Sequence, residues 1–362
     1  MIELGWDQVL AFRLARHGLD QRRALGGAEV SRRINGVQAQ VMSAAELSIG
    51  VRSSRETPAG VQKSLWQMRS LVKTWAMRTT LHLLPADELP LYMAAVRRRG
   101  PAWKRTWSKW LGIDEGRLLE LVEAVGRALD GRCLTRRELA DAVVGQLGWM
   151  TLEQLLSGWG TLLGLPARAG KLCFGPSLGS SVRFVRPDQW IGFWKEVDEL
   201  DAERELLRRY LRVNGPAVRK DFQIWLGATP SLPAWTALLP ELAEVSVEGK
   251  RGWLLAADVD AIRKAEFGDE VRLLPFFDHY LLTHHDGREH LVGPEDKSKV
   301  FRTAGWVTPT VLVRGRIAGT WDLTKGVVTV SEFRSLTARE RRGVAREVER
   351  LGHFLGASVR LG

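Results

Sequence analysis

The sequence predicts a mainly α fold with β wings, an α+β architecture of three tandem winged-helix modules followed by a small antiparallel sheet or barrel. Two observations predict it. A helix, a second helix and a basic hairpin recur in that order along about the first 260 residues, and short β-rich pieces take over after about residue 270. Helix, helix and hairpin is the order of a winged helix, a variant of the helix-turn-helix.

The elements follow in chain order. The first copy takes helices over 43–52 and 60–69, then the alternating segment Val72-Lys73-Thr74-Trp75-Ala76-Met77-Arg78-Thr79-Thr80-Leu81-His82-Leu83. Ser43-Ala44-Ala45-Glu46 reads as a capping box that starts the first of these helices. The second copy runs from Leu134-Thr135-Arg136-Arg137-Glu138-Leu139 through Trp159 to a hairpin over 171–186 turning at Gly179. The third runs from Tyr210 to Pro216, through Asp221-Phe222-Gln223-Ile224-Trp225, to a hairpin over 243–255 turning at Glu248-Gly249. Thr310–Val313, Arg316–Trp321 and Gly326–Val330 read as short strands, and a charged helix over 337–355 ends the chain. The implied domains are 1–125, 126–196, 197–265 and 266–362.

Composition narrows the function classes. Hydrophobic residues at 45% and charged residues at 26% describe a soluble globular chain. No apolar run approaches the ~18–20 residues of a membrane span, and the N-terminus, with Glu3 and Asp7, does not read as a signal peptide. Two cysteines, Cys133 and Cys173, are too few for a disulfide framework or a cysteine-based zinc site and point to a reducing, cytoplasmic location. No phosphate-binding loop, dinucleotide fingerprint or Gly-x-Ser-x-Gly elbow is present. The net charge of +11 comes from 53 basic residues, of which 41 are Arg. Such a balance favours a polyanionic partner, and Arg forks match phosphate and guanine geometry. A genome rich in Arg codons would give the same bias.

Within this frame the stretch Val37-Gln38-Ala39-Gln40-Val41-Met42 stands out. Lying just before a helix start, it reads as extended or irregular. At a period of two, Gln38 and Gln40 project to one side and Val37, Ala39 and Val41 to the other. Two amides presented together can hold a water molecule or read a base edge, although surface glutamines commonly do neither.

Several segments together resemble the winged-helix DNA glycosylase superfamily typified by AlkZ and YcaQ. They are Val37-Gln38-Ala39-Gln40, Thr74–Leu83, Arg209-Tyr210-Leu211 with Asn214-Gly215-Pro216, Asp221-Phe222 with Trp225, Phe277–Asp286, and Gly315-Arg316 with Gly319-Thr320-Trp321. The resemblance spans nearly the whole chain. It implies a C-shaped array of three winged helices closed by a C-terminal β-barrel, and hydrolytic removal of N7-alkylated purines from double-stranded DNA. It makes Gln38 and Gln40 the catalytic residues. Because YcaQ-like members carry Asp at the second position, Gln40 places the chain on the AlkZ-like branch, associated with self-resistance to DNA-alkylating natural products and with crosslink unhooking. The Asp-Arg pair usual after the His is interrupted by Gly287, so Arg288 comes one place late.

Two amides can suffice chemically. An N7-alkylguanine carries a fixed positive charge and leaves as a neutral base, so no acid is needed for the leaving group. What remains is to hold a water below the anomeric carbon and to stabilise an oxocarbenium-like transition state, both within reach of amide carbonyl dipoles. No cofactor is implied. Without a lysine at the motif, Schiff-base lyase chemistry is not expected. A non-catalytic winged-helix regulator or protection protein is the alternative.

Further candidates flank this pair. Asn35 could assist catalysis or simply form a turn with Gly36. Arg78, Thr80 and His82 fall in register on one alternating face, where DNA contact is plausible and His82 could support catalysis. Lys171 and Arg183 would lie on the second wing and meet the DNA backbone. Arg97-Arg98-Arg99 with Trp103, Lys104, Arg105 and Trp107 interleaves charge and aromatics. His284 and Asp286, with Arg288, would contact DNA or lock the barrel. The spacing of Asp278, His279, His284, His285, Asp286 and His290 fits no standard zinc pattern, so no metal is expected.

Overall fold

The computed structural model describes residues 2–97, 112–157, 162–227, 231–283 and 287–362. The chain divides into two compact units, Met1–Gln62 with Arg204–Gly362, and Lys63–Glu203. Among the described residues no helix is long and apolar enough to cross a membrane.

Two apolar cores organise much of the first unit. Helix Trp6–Arg16 lays Val9, Leu10, Phe12 and Leu14 into one of them. Strand Ile2–Leu4 runs parallel to Leu242–Val247, which pairs antiparallel with Lys250–Leu255 in the register Val247↔Lys250. The expected turn at Glu248-Gly249 is present, with both residues left-handed at φ 47° and 84°. Helices Glu199–Asn214 and Arg219–Leu226 precede this hairpin, giving the expected order of the third copy.

The second core lies under a curled five-stranded sheet, in the order Val271–Leu274, Thr310–Val313, Arg316–Thr324, Val327–Glu332 and Arg360–Leu361. The first three pairings are antiparallel and the last is parallel. Helix Ala338–Leu355 packs on the sheet through Val344, Val348 and Leu351 against Val271 and Leu273. Gly343 permits that approach, because a Cβ there would lie 2.5 Å from the Val271 side chain. A capping box starts this helix: Thr337 accepts from the Glu340 amide, and Glu340 accepts from the Thr337 amide.

The second unit holds the hairpin Leu71–Trp75 with Leu81–Pro85, then helices Leu89–Arg97, Glu115–Ala128 and Arg136–Leu147. The hairpin Cys173–Leu178 with Ser181–Val185 follows, joined by Leu134–Thr135. Leu121, Val125, Leu139, Val143, Leu172, Phe174 and Phe184 form its core. Trp75 packs on Phe174 with ring centroids 5.0 Å apart.

Two local expectations fail. The helix after the glutamine segment is Met42–Gly50 with Val41 at its N-cap and no side-chain cap, so Ser43 and Glu46 do not form the expected box. Val41 packs against the core, and Glu46 instead accepts from the Gln62 amide. The alternating segment 72–83 is interrupted, because Met77–Thr79 forms a tight turn between the two strands.

Candidate active site

Helix Gly27–Arg33 leads into the glutamine segment. Its first turn is tied down by Gly27 N–H donating to Glu56 Oε2 at 2.7 Å. The chain leaves it through Asn35 and Gly36, with φ of 62° and 96°. Asn is one of the few side chains that adopts the left-handed region readily, and Gly does so freely. Gly36 N–H donates back to Ser31 O at 2.8 Å. The Asn35 amide donates to Arg209 O at 3.0 Å, so this residue fixes the turn to helix Glu199–Asn214.

Beyond the turn, Val37–Gln38 is a two-residue strand. Val37, Gln38 and Ala39 are all buried and only Gln40 is exposed. The simple alternation expected from a period of two is therefore not what the burial shows. Apolar residues lock the backbone on either side of a buried amide, and the second amide stands at the surface, just ahead of helix Met42–Gly50. A buried primary amide needs hydrogen-bond partners for its carbonyl and its nitrogen, which fixes its orientation.

A buried ion pair holds that helix from below. The Arg52 guanidinium donates to both oxygens of Asp278 at 2.7 Å, and Ser48 Oγ donates to Asp278 at 2.8 Å. Arg52 also donates to His17 O and Ser48 O, each at 2.9 Å. Burial opposes the Asp278 charge, but Arg52 and the hydrogen bonds from Arg52, Tyr280 N–H and Ser48 hold its carboxyl below the usual range. Asp278 also caps helix His279–Leu282, accepting from Tyr280 N–H at 3.0 Å. The helix after the glutamines and the segment Phe277–Thr283 are thus one connected polar framework. Sequence reasoning missed Arg52. It lies just past a helix end, and nothing local marks it as a buried cation. Asp278, which the sequence groups with histidines, is committed to that cation.

His17 lies in the same framework, with Nε2 3.0 Å from Asn214 Oδ1. Burial and then the neighbouring Arg52 push its pKa down to about 3, so its ring is neutral at pH 7.

In the second unit Thr74 pairs with His82 across the hairpin. Arg78 and Thr79 are not on the strand face; they form the turn, both left-handed at φ 54° and 59°. Thr80 Oγ1 donates to Met77 O at 3.1 Å, and His82 Nδ1 lies 2.9 Å from Thr80 O. His82 is wholly buried, and burial, then Arg78, lower its pKa to about 3. Bonding to a carbonyl requires the proton on Nδ1, so Nε2 is an acceptor; it has no hydrogen-bond partner among the described residues. His82 cannot supply a proton at neutral pH.

Lys171 precedes the hairpin strand and pairs with Glu123 at 3.2 Å, with its stem against Gly126. It lies at the base of the hairpin over 173–185 rather than at its tip. Arg183 is on the hairpin strand Ser181–Val185, where its Nε donates to Pro176 O at 2.7 Å. Arg288 is half-buried, with its guanidinium 4.2 Å from the centre of the Phe301 ring, and burial lowers its pKa. His284, His285, Asp286, Arg98, Arg99, Trp103, Lys104, Arg105, Trp107 and Trp159 lie outside the described residues.

A cavity of about 690 Å³ in the first unit is lined by neither glutamine. Beside it Glu347 accepts from Arg22 at 2.6 Å and Arg350 at 2.8 Å, with Arg272 3.8 Å away. That ion cluster ties the last helix to its sheet.

A sequence model of the DNA glycosylase AlkZ-like family matches residues 31–354, which takes in the glutamine segment and both units. The chain belongs to this family. Its similarity to the interstrand DNA cross-link repair glycosylase of Streptomyces sahachiroi is 34% identity over 365 residues, covering 99% of this chain and 98% of that one. The solved structure of the Streptomyces sahachiroi DNA glycosylase AlkZ superposes with a TM-score of 0.92 at 32% identity, covering both chains completely. The AlkZ-like chain described here is accordingly a DNA glycosylase, a hydrolase of N-glycosyl bonds. Its mixed α+β fold, with the curled C-terminal sheet, is that of AlkZ.

Proposed function

We propose that this enzyme hydrolyses the N-glycosidic bond of cationic N7-alkylated purines in double-stranded DNA, including bulky adducts and interstrand crosslinks. Gln38 and Gln40 are its catalytic residues. It acts without a cofactor and leaves an abasic site without lyase cleavage. The observation that carries this reading is the setting of the two amides. A left-handed Asn35-Gly36 turn tied to Arg209 O and a buried Val37-Gln38-Ala39 core hold the segment, and the far end of the helix that follows is anchored through Ser48, Arg52 and Asp278. Preorganised dipoles of this kind can position water and stabilise developing positive charge without moving during the reaction. Crosslink repair is in the name of the Streptomyces sahachiroi relative, and coverage of both chains from end to end supports extending it to this one.

The remaining assignments follow from the same reading. Asn35 acts as a positioning residue for the glutamines. Arg78, Thr80, Arg183, Lys171, Arg288, His284 and Asp286 are candidate DNA contacts, and His82 supports the first hairpin as a neutral acceptor. Three winged helices and a closed barrel remain the proposed architecture. The setting is the bacterial cytoplasm, in DNA repair or self-resistance to a DNA-alkylating natural product.

Base release from a duplex bearing a single N7-methylguanine tests the reading. Gln38→Ala and Gln40→Ala should each slow release by about 100-fold, the size typical of losing one preorganised catalytic dipole, with DNA binding retained. Release at the wild-type rate by both variants, or efficient excision of neutral uracil by the wild type, overturns it.

A further inference from the structure

Phe276 and Trp306 are large aromatics that the fold holds at its surface. Phe276 is the only exposed residue between Val271 and Thr283, and Trp306 is 44% exposed. The two rings meet edge to face, with centroids 5.8 Å apart and planes at 85°. Among the large hydrophobic side chains that are exposed, they are a pair in ring contact. Both stand at the edge of the apolar core that contains Phe277, outside its buried set.

The backbone is arranged to keep them there. Phe277 is left-handed at φ 57°, a conformation that an aromatic residue rarely adopts and that marks local strain. That twist lets Phe277 go inward while Phe276 goes outward. Phe277 N–H donates to Val307 O, and the Phe277 and Trp306 rings lie 5.0 Å apart. Trp306 closes a tight turn in which Arg302 N–H donates to Trp306 O at 2.8 Å and Gly305 takes a φ of 77°. Two loops are therefore fastened together beneath an exposed aromatic corner.

The charge around this corner indicates its occupant. Arg302, on the same turn, is exposed and its side chain makes no hydrogen bond or ion pair among the described residues. Phe301, bridged to Val307 at the base of the turn, carries the Arg288 guanidinium on its face. Rigid aromatics interleaved with unpaired guanidinium groups are the composition of a surface that stacks nucleobases while tracking a phosphate backbone. Two rings are too small a patch for a stable protein interface, which needs on the order of 1,000 Å².

We propose that Phe276 and Trp306 form a stacking ledge for an unpaired nucleobase of the DNA, with Arg302 meeting the adjacent phosphate. The proposal rests on the reading of the enzyme as acting on duplex DNA. A base tied to both strands cannot rotate freely into a pocket, so the strands must open locally around it, and an unstacked neighbour then needs a surface.

The test uses the full-length protein and a fluorescein-labelled duplex carrying one bulged adenine, alongside the fully paired duplex of the same sequence. Wild type should bind the bulged duplex about tenfold more tightly, the effect of one base–aromatic stack. Trp306→Ala and Phe276→Ala should abolish that preference and leave binding to the paired duplex unchanged, whereas Trp306→Phe should keep it. Equal preference in wild type and both alanine variants overturns the ledge, as does a wild type with no preference. Self-association that disappears in Trp306→Ala would also overturn it, by making the corner a contact between copies. Because the readout is binding, failure of the wild type to release N7-methylguanine would count against the proposed reaction and not against the ledge.

Discussion

In the glutamine segment, the backbone is held by charge and by amides. Arg52 and Asp278 form a buried pair beneath the helix that follows, and Asn35 reaches across to Arg209 O. The hairpin Leu71–Pro85 carries its polar residues differently. Its buried ionisable group is a neutral imidazole, His82, and its turn forces Arg78 and Thr79 into the left-handed region. Both regions contain non-glycine residues at positive φ, but Asn35 suits that conformation and a β-branched Thr does not. The segment assigned to catalysis thus combines a tolerated backbone with an expensive buried charge pair, and the hairpin combines a strained backbone with an uncharged anchor. The contrast predicts that the two respond to different perturbations: loss of a charge partner for the first, protonation and turn chemistry for the second.

The largest effect should come from Arg52→Ala. Its side chain is 1% exposed and that of Asp278 is fully buried, so removing the cation strands a carboxylate in the interior. Breaking such a pair from one side costs about 3–5 kcal/mol. Urea unfolding followed by hydrogen exchange in Met42–Gly50 reads this loss, and base-release rates should fall with it under conditions where the variant remains folded. The double variant Arg52→Met with Asp278→Leu should recover much of the stability, since an apolar pair replaces the charges. A loss below ~1 kcal/mol in Arg52→Ala would show that this buried pair does not hold the end of the helix after the glutamines.

Acid should act on the neutral anchors. His82 and His17 both have a folded-state pKa lowered to about 3. Unfolded, each titrates near 6.5, so between those values the unfolded chain binds more protons than the folded one. The stability each confers is complete above about pH 6.5 and declines as the pH falls toward 3, by about tenfold in the folding equilibrium per pH unit per histidine. Asp278 has the opposite charge but the same sign of dependence, at lower pH. Its depressed pKa means that its contribution, complete above the ordinary carboxylate value, is lost only as the pH falls through its folded value. His82→Asn retains a donor in the Nδ1 position and cannot titrate. It should flatten the decline in the second unit and leave that of the first, which contains His17, unchanged. Chevron or hydrogen-exchange measurements between pH 6.5 and 4 separate the two, and an unaltered slope in His82→Asn would remove the imidazole from the account.

The same contrast explains what could be read from the sequence. The Asn35-Gly36 pair and the turn at Glu248-Gly249 are local signals, and each appears where its chemistry predicts. The order of helices and hairpins was legible for the same reason. The buried pair at the end of the helix after the glutamines was not, because Arg52 and Asp278 are far apart in the chain and only tertiary packing makes them partners. Period-two reasoning placed Gln38 and Gln40 on one side, whereas packing on both sides of a two-residue strand buries the first and leaves the second exposed. It also ran Arg78 and Thr80 into the strand that holds His82, because no glycine or proline marks the turn at Met77–Thr79. Lys171 was assigned to the second wing from a hairpin start placed two residues early; the strand begins at Cys173.

That unmarked turn supplies the smallest effect and the sharpest comparison. Thr79 is exposed, and its hydroxyl donates only to the adjacent Arg78 O, so little besides backbone strain depends on its identity. A left-handed conformation costs an ordinary L residue about 1–2 kcal/mol, and Asn escapes part of that cost. Thr79→Asn would place in the hairpin the residue type that the glutamine segment already uses. It should stabilise the second unit by about 0.5–1 kcal/mol, read as a higher urea midpoint at unchanged slope. Glycine there would give less, because its greater freedom in the unfolded chain offsets the relief of strain. If Thr79→Asn instead lowers the midpoint, the left-handed turn is not the strained element, and the hairpin is held by contacts of Thr79 that its exposure does not suggest.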